Sequence, residues 1–186
     1  MTPTIDTEFE QYLEEHRLET ARHEAGHVLI FLFRGLPFKN VEIVQAVEID
    51  GVRVMKFVLD DEDGCLGLMR LDRVAWWTQG CHMELDDQII QALAGVAGEQ
   101  IENEQADWRK GDWRGRANHD YRSAKEIATL AAKVAGVGLR TYLKNSFKEA
   151  WKILRRHKAK HDALTTALLN KSILTYAECV EIWRML

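Results

Sequence analysis

The sequence HEAGH at positions 23–27 places two histidines four residues apart, with a glutamate directly after the first. On a helix, this spacing puts His23 and His27 on the same face, about one turn apart. Two imidazoles arranged in this way can bind one zinc ion at about 2.0–2.1 Å. The ion lowers the pKa of a bound water to about 7, and Glu24 would be the general base that accepts its proton. The pattern therefore predicts a catalytic zinc site of the kind found in metallopeptidases.

A helix is predicted over residues 7–34 to carry this pentad. Its apolar positions recur at intervals of three and four residues, and Gly35 follows as a stop signal. Ala21 and Val28 flank the pentad with apolar side chains, as a buried catalytic helix requires. Gly26 weakens a helix by roughly 1 kcal/mol relative to alanine, which indicates close packing near the metal.

A catalytic zinc site needs a third protein ligand and leaves the fourth position to water. Residue type alone makes many side chains candidates, and their spacing does not choose among them: Cys81, His82, Glu99, His119, Asp120 and several other acidic residues.

A second pair of histidines, His157 and His161, has the same four-residue spacing. Lysines and arginines surround it at positions 155, 156, 158 and 160, and their positive field disfavours a divalent cation. No glutamate follows His157 as Glu24 follows His23. We therefore expect this pair to lie on a solvated helix face and to bind no metal.

The remaining elements predict a mainly α-helical fold with a small β-hairpin or sheet next to the HExxH helix. β-Branched runs around Asp50-Gly51 predict a hairpin within residues 40–59, and an acidic turn follows at 60–64. Helices are predicted over 84–104, 118–136, 139–170 and 174–185, with a loop rich in Gly, Arg and Trp at 106–117. Gly95 and Gly98 within the second helix indicate that another helix approaches closely. We expect one domain over residues 1–186, with about the first six residues flexible.

Composition limits the function classes. The net charge of −4 argues against nucleic acid as the main partner. Three cysteines without a CxxC pattern suit a reducing compartment. We expect no signal peptide, and the longest apolar run, residues 28–33, is far short of the roughly 20 residues that span a bilayer. The expected location is therefore the cytoplasm.

Four segments in order resemble the protease domain of the FtsH family of ATP-dependent zinc metalloproteases. They are HEAGH at 23–27, ALAGVAGE at 92–99, NHD at 118–120 followed by SAKEIA at 123–128, and the closing helices from about 153 to 174. The resemblance implies that Asp120 is the third zinc ligand, with the adjacent His119 as its rival. It also aligns Glu99 with a family glutamate, which we expect to accept a hydrogen bond from a ligand imidazole.

The chain departs from the family pattern in several places. No GxxxxGK[ST] phosphate loop and no membrane anchor occur in these residues, Val96 stands where the family has arginine, and the stretch 106–117 is longer. The tryptophans of that stretch, together with Trp76-Trp77, could cover the cleft, form a partner surface or pack under a loop.

The resemblance implies a zinc-dependent endopeptidase that cuts peptides or unfolded proteins, supplied by a separate ATPase or an FtsH-type partner. Because the protease domains of the family form hexamers, a homo-oligomer is one expectation. The alternative is a catalytically weak, stand-alone relative that binds or regulates a partner.

Overall fold

The computed structural model describes the backbone of residues 7–49, 52–56, 58–60, 63–65, 67–71, 83–111 and 118–186. Side chains are described within those ranges, apart from residues 7–15, 45–68 and 71. The α-helices in these ranges are Thr7–Phe33 (α1), Leu85–Glu99 (α2), Asn118–Val134 (α3), Leu139–Arg156 (α4), Lys158–Lys171 (α5) and Tyr176–Met185 (α6). A short 3₁₀ helix covers Trp108–Lys110. The prediction of a mainly helical chain is confirmed.

Helix α1 supplies the centre of the core. Residues 20–32 are buried except for the half-buried Arg22, and α2 and α5 pack along this part of the helix. The predicted stop at Gly35 is confirmed: it adopts φ +67°, and the Leu36 N–H donates to the Phe31 carbonyl at 2.9 Å. This is the left-handed helix end that glycine adopts without a steric penalty.

Arg17 ties α1 to the end of α5 and to the strand region. Its guanidinium donates to the Leu169 carbonyl at 2.6 Å, to Ser172 Oγ at 3.0 Å and to the Val44 carbonyl at 3.4 Å. Charge-assisted bonds of this kind are among the stronger ones in proteins. A single side chain of α1 therefore binds two separate segments of the chain.

The strands are Phe38–Ile43 (β1), Gln45–Ile49 (β2), Val52–Lys56 (β3), Val58–Asp60 (β4), Asp63–Cys65 (β5), Gly67–Leu71 (β6) and Ile173–Thr175 (β7). A three-stranded antiparallel sheet has the order β6-β1-β7, and α1 lies against it. Val41 of the central strand pairs with Met69 on one side and Leu174 on the other. The small sheet expected beside the HExxH helix is therefore present.

Two hairpins accompany the sheet. Strands β2 and β3 pair so that Ile49 lies opposite Val52, which confirms the hairpin predicted around Asp50-Gly51. Strands β4 and β5 pair with Asp60 opposite Asp63, so the predicted acidic turn closes a second hairpin. The loop residues themselves, 50–51 and 61–62, lie outside the described residues.

Two helix predictions need correction. The single helix predicted over 139–170 is two helices, α4 and α5, which meet at His157. The second helix ends at Glu99, five residues earlier than expected, because the chain turns at Gln100. Trp76-Trp77 and the first six residues lie outside the described part of the chain. Among the described helices, none has the length and apolar character needed to cross a membrane.

Candidate metal centre

The HEAGH pentad lies in the middle of the buried half of α1. His23, Glu24 and His27 are 7%, 5% and 5% exposed. The two imidazoles share one face of the helix, and their ring centroids are 4.8 Å apart. A pair of histidines so deep in a helical core requires partners for its ring nitrogens, because an unpaired buried polar atom is costly.

Helix α2 crosses α1 at the pentad, and glycines make the approach close enough. A Cβ at Gly95 would fall on the imidazole ring of His23. A Cβ at Gly26 would meet the Ala94 carbonyl oxygen, and one at Gly98 would lie 2.5 Å from the Arg22 carbonyl oxygen. Both predictions drawn from these glycines, close packing at Gly26 and a close helix neighbour at Gly95 and Gly98, are confirmed.

Helix α3 brings a carboxylate to the two imidazoles. Asp120 lies in its first turn, and its Oδ2 is 2.9 Å from His23 Nε2 and 3.3 Å from His27 Nε2. The two Nε2 atoms are 3.1 Å apart. His119 is exposed and takes no part in this group, and Cys81 and His82 lie outside the described residues. The structure thus brings together the three residues expected as metal ligands.

These three atoms fit the ligand set of a catalytic zinc. Ligands about 2.0–2.1 Å from a tetrahedral zinc lie about 3.3–3.4 Å from one another, close to the separations of 2.9, 3.1 and 3.3 Å. Two imidazoles and one carboxylate form a donor set that zinc accepts, and one position of the tetrahedron would remain for water. Among the described residues, His23, His27 and Asp120 form the group able to hold a metal ion.

Each histidine of this group is oriented through its other ring nitrogen. His23 Nδ1–H donates to Glu99 Oε1 at 2.8 Å, which is the contact expected of Glu99. His27 Nδ1–H donates to the Gln91 carbonyl at 2.9 Å. A carboxylate and a carbonyl oxygen both accept, so these two contacts favour protonation of each ring on Nδ1, and the Nε2 atoms of both rings face Asp120. Sequence reasoning missed Gln91, since a backbone carbonyl leaves no signal in residue type.

Without a metal ion, the positively charged form of His23 and the negatively charged form of Asp120 stabilise each other. Burial lowers the pKa of His23, but its hydrogen bonds to Asp120 and Glu99 outweigh this effect and raise the pKa to about 10. Burial likewise raises the pKa of Asp120, yet the neighbouring imidazoles more than offset this and hold the pKa below its usual range. The buried His23–Asp120 contact is therefore an ion pair at neutral pH.

Glu24 differs from the other carboxylates of the site. Burial raises its pKa above the ordinary value, although the charges of the two histidines act in the opposite direction. Among the described residues, no side chain forms a hydrogen bond or ion pair with its carboxylate. A buried carboxylate with a raised pKa and no competing partner is well suited to accept and return a proton.

No protein-family model matches this chain, and no curated protein matches its sequence.

The second histidine pair does not lie on a solvated helix face, and that prediction is wrong. His161 is fully buried, and its Nε2–H donates to the Arg22 carbonyl at 2.9 Å. His157 is half-buried between the rings of Phe33 and Trp183. His157 lies at the junction of α4 and α5, and the two rings contact different neighbours. The pair is part of the packing that holds α1 in place.

Proposed function

We propose that this chain is a zinc-dependent endopeptidase of the FtsH type. The observation that carries the proposal is the convergence of His23 Nε2, His27 Nε2 and Asp120 Oδ2 beside the buried Glu24. Two of these ligands come from one turn of α1 and the third from the start of α3, so the site depends on tertiary structure as well as on the pentad. The order of the resembling segments, from HEAGH to NHD, supports the same assignment.

The chain's own residues supply the rest of the chemistry. When bound, zinc would polarise the scissile carbonyl and lower the pKa of a water to about 7. His23, His27 and Asp120 would hold the ion, and the Asp120 side chain is 23% exposed, so the site can be reached from that side. Glu24 would take the proton of the attacking water on its carboxylate and return it to the leaving amine.

Glu99 and Gln91 have a positioning role in this proposal. Each fixes the tautomer and the direction of one imidazole, so that the two lone pairs face the same point. The negative charge of Glu99 also increases the basicity of His23. Both come from α2, whose close approach is permitted by Gly95 and Gly98. The helix crossing is therefore part of the metal site.

Peptides and unfolded protein segments are the proposed substrates, and a separate ATPase is the proposed means of delivering folded ones. The proposed location is the cytoplasm. The substrates and the ATPase rest on the resemblance of the four sequence segments, whereas the location rests on the cysteine pattern. A separate assay addresses the substrates: cleavage of a folded substrate should require an added ATPase, whereas cleavage of casein should not.

The decisive experiment compares Glu24→Gln with the parent protein, each loaded with zinc. We expect the variant to keep one zinc per chain and to lose kcat/KM for casein by about 10²–10⁴-fold, because the general base is gone and the ligands are intact. Glu19→Gln is the matched control, since Glu19 is exposed on the same helix. A zinc-loaded parent protein that cuts neither casein nor peptides would reject the peptidase and favour the binding or regulatory alternative.

A further inference from the structure

A groove with an aromatic floor lies between residues 104–108 and helix α4, on a part of the surface that the metal centre does not use. Phe147 is buried in its floor, and Trp108 and Trp151 are half-buried beside it. Lys144 and Lys148 form one rim. We call this surface the basic groove. It contains the described part of the Trp- and Arg-rich stretch, for which the proposed peptidase chemistry has no use.

The cations of the rim follow one line along α4. Arg140, Lys144 and Lys148 are spaced by four residues, so they lie on the same side of the helix, and all three are exposed. The Arg140 guanidinium lies 5.9 Å from the centre of the Trp108 ring, which continues the line over the aromatic floor.

Two lysines further along the chain from this row are paired with carboxylates. Lys152 pairs with Glu149 at 3.3 Å, and Lys158 pairs with Glu102 at 2.8 Å and with Asp162 at 2.6 Å. Within the described residues, no carboxylate lies within 4.0 Å of the charged groups of Arg140, Lys144 or Lys148. The three cations therefore form a row of positive charge along one side of α4, without a counter-charge among the described residues.

The opposite rim is mildly acidic, and most of its charge is already compensated. Arg109 donates to both carboxylate oxygens of Asp107, at 2.7 to 3.1 Å, and lowers the pKa of that carboxyl to about 2. The exposed Glu104 is the other carboxylate of the groove. The groove therefore has uncompensated positive charge on the α4 side and a weak negative charge on the other.

The floor is held in position before anything binds. Trp151 Nε1–H donates to the Gln100 carbonyl at 3.4 Å, and Arg155 stacks on the Trp151 ring at 5.3 Å. The Asp107 N–H donates to Gln100 Oε1 at 2.9 Å and fixes the segment that carries Trp108. A preformed groove binds with a smaller entropic cost than one that must be ordered by its occupant.

We propose that the basic groove binds an acidic polypeptide segment that carries an aromatic or large aliphatic side chain. The apolar side chain would lie on Trp108 and Trp151, and flanking carboxylates would pair with Lys144 and Lys148. Nucleic acid fits less well, because a sugar–phosphate backbone has no N–H groups to donate to the Glu104 carboxylate on the opposite rim, whereas a peptide backbone has them. The assignment is independent of whether the metal centre cuts peptides.

A direct binding measurement tests this. The probe is a fluorescein-labelled peptide of sequence Glu-Glu-Phe-Glu-Glu-Leu-Glu-Glu, followed by fluorescence anisotropy on the full chain carrying Glu24→Gln, so that cleavage cannot remove the probe. The test variant is Lys144→Glu/Lys148→Glu. The control is Lys125→Glu/Lys133→Glu, which makes the same charge change at exposed positions of α3.

We expect the test variant to weaken binding by about tenfold or more and the control to change it by less than about twofold. Replacing Phe and Leu of the probe by alanine should weaken binding as well, because the aromatic floor loses its contact. Equal binding by the parent and the Lys144→Glu/Lys148→Glu variant overturns the proposal. So does tighter binding of a single-stranded oligonucleotide of the same net charge, which would make the groove a nucleic-acid site.

Discussion

Two regions of this molecule carry histidines four residues apart, and they lie in opposite electrostatic environments. At His23 and His27, two carboxylates face the rings at 2.8 and 2.9 Å. At His157 and His161, the neighbours are the Arg22 carbonyl and aromatic rings, and one carboxylate, that of Asp162, lies 3.8 Å from His161 Nδ1. The pKa of His23 is raised, whereas burial lowers the pKa of His161 although its bond to the Arg22 carbonyl acts the other way. The spacing is shared, so it is the surroundings that distinguish the pair able to hold a metal ion from the other pair.

Backbone continuity separates the two pairs as well. The first pair lies within one unbroken helix, so the i, i+4 relation puts both rings on one face. The second pair spans the junction of α4 and α5, where His157 leaves helical geometry with φ −111° and ψ 31°. Its rings therefore point to different neighbours. Two residues spaced by four are certain to share a helix face only when the helix between them is continuous.

Removing Asp120 should produce the largest change. In Asp120→Ala, the third donor is lost, and we expect stoichiometric zinc to fall from one ion per chain to a small fraction of that, because two imidazoles alone do not form a catalytic zinc site. Elemental analysis after gel filtration measures it. His119→Ala is the control and should keep its zinc. If Asp120→Ala retained zinc, the carboxylate would not be what distinguishes His23 and His27 from the second histidine pair.

Truncating His161 should affect folding rather than the metal. His161→Ala empties a fully buried position and leaves the Arg22 carbonyl without its side-chain donor. We expect the free energy of unfolding to fall by about 2–4 kcal/mol in urea titrations. The folded variant should still bind one zinc per chain. If it is folded but binds none, the second pair is coupled to the metal and the two regions are not independent.

Glu99→Gln weakens the first pair without removing a ligand. The amide can still meet His23 Nδ1–H through its carbonyl oxygen, but it no longer supplies a charge, so the imidazole becomes a poorer donor to zinc. We expect zinc affinity to fall by about 10–100-fold in competition with a chelator. Glu126→Gln, at an exposed position of α3, is the matched control. If the zinc affinity of Glu99→Gln were unchanged, Glu99 would have no role in metal binding.

The smallest perturbation is a pH titration of the zinc-free protein, followed by the imidazole nitrogen signals in NMR. His23 should remain protonated on both nitrogens up to a pH of about 10, whereas His161 should remain neutral to below its ordinary pKa of 6.5. The stability that His23 provides is thus present below pH 6.5 and lost as pH rises through about 10. The stability that His161 provides is present above pH 6.5 and lost as pH falls. Similar titration of both rings would contradict the assigned environments.

The first pair and its helix could be predicted from the sequence because every signal for them is local. Periodic apolar residues, the pentad and Gly35 all lie within 30 residues. The expectation for Asp120 came from the resemblance to a known segment, since residue type alone left many candidates. The small residues of α2 indicated the helix crossing, because a glycine in a buried helix needs a reason for its presence.

The second pair could not be predicted because its environment is made by distant segments. Nothing between residues 155 and 161 resembles a helix breaker, so the break at His157 had no local signal. The charged neighbours suggested solvent, but α5 turns His161 toward α1, 139 residues earlier in the chain. Strand β7 was missed for a similar reason: three residues are too few to show alternation, and pairing with β1 defines the strand.

Few substitutions are compatible with the close crossing of α1 and α2. Gly26, Gly95 and Gly98 keep the two helix axes close, and the atoms that an added methyl would displace are those of His23 and of the backbone beside it. A substitution that widens the gap between the helices would also move Glu99 away from His23. A mutation at one of these glycines would therefore change the stability of the fold and the geometry of the site together, so the two properties could not evolve separately at these positions.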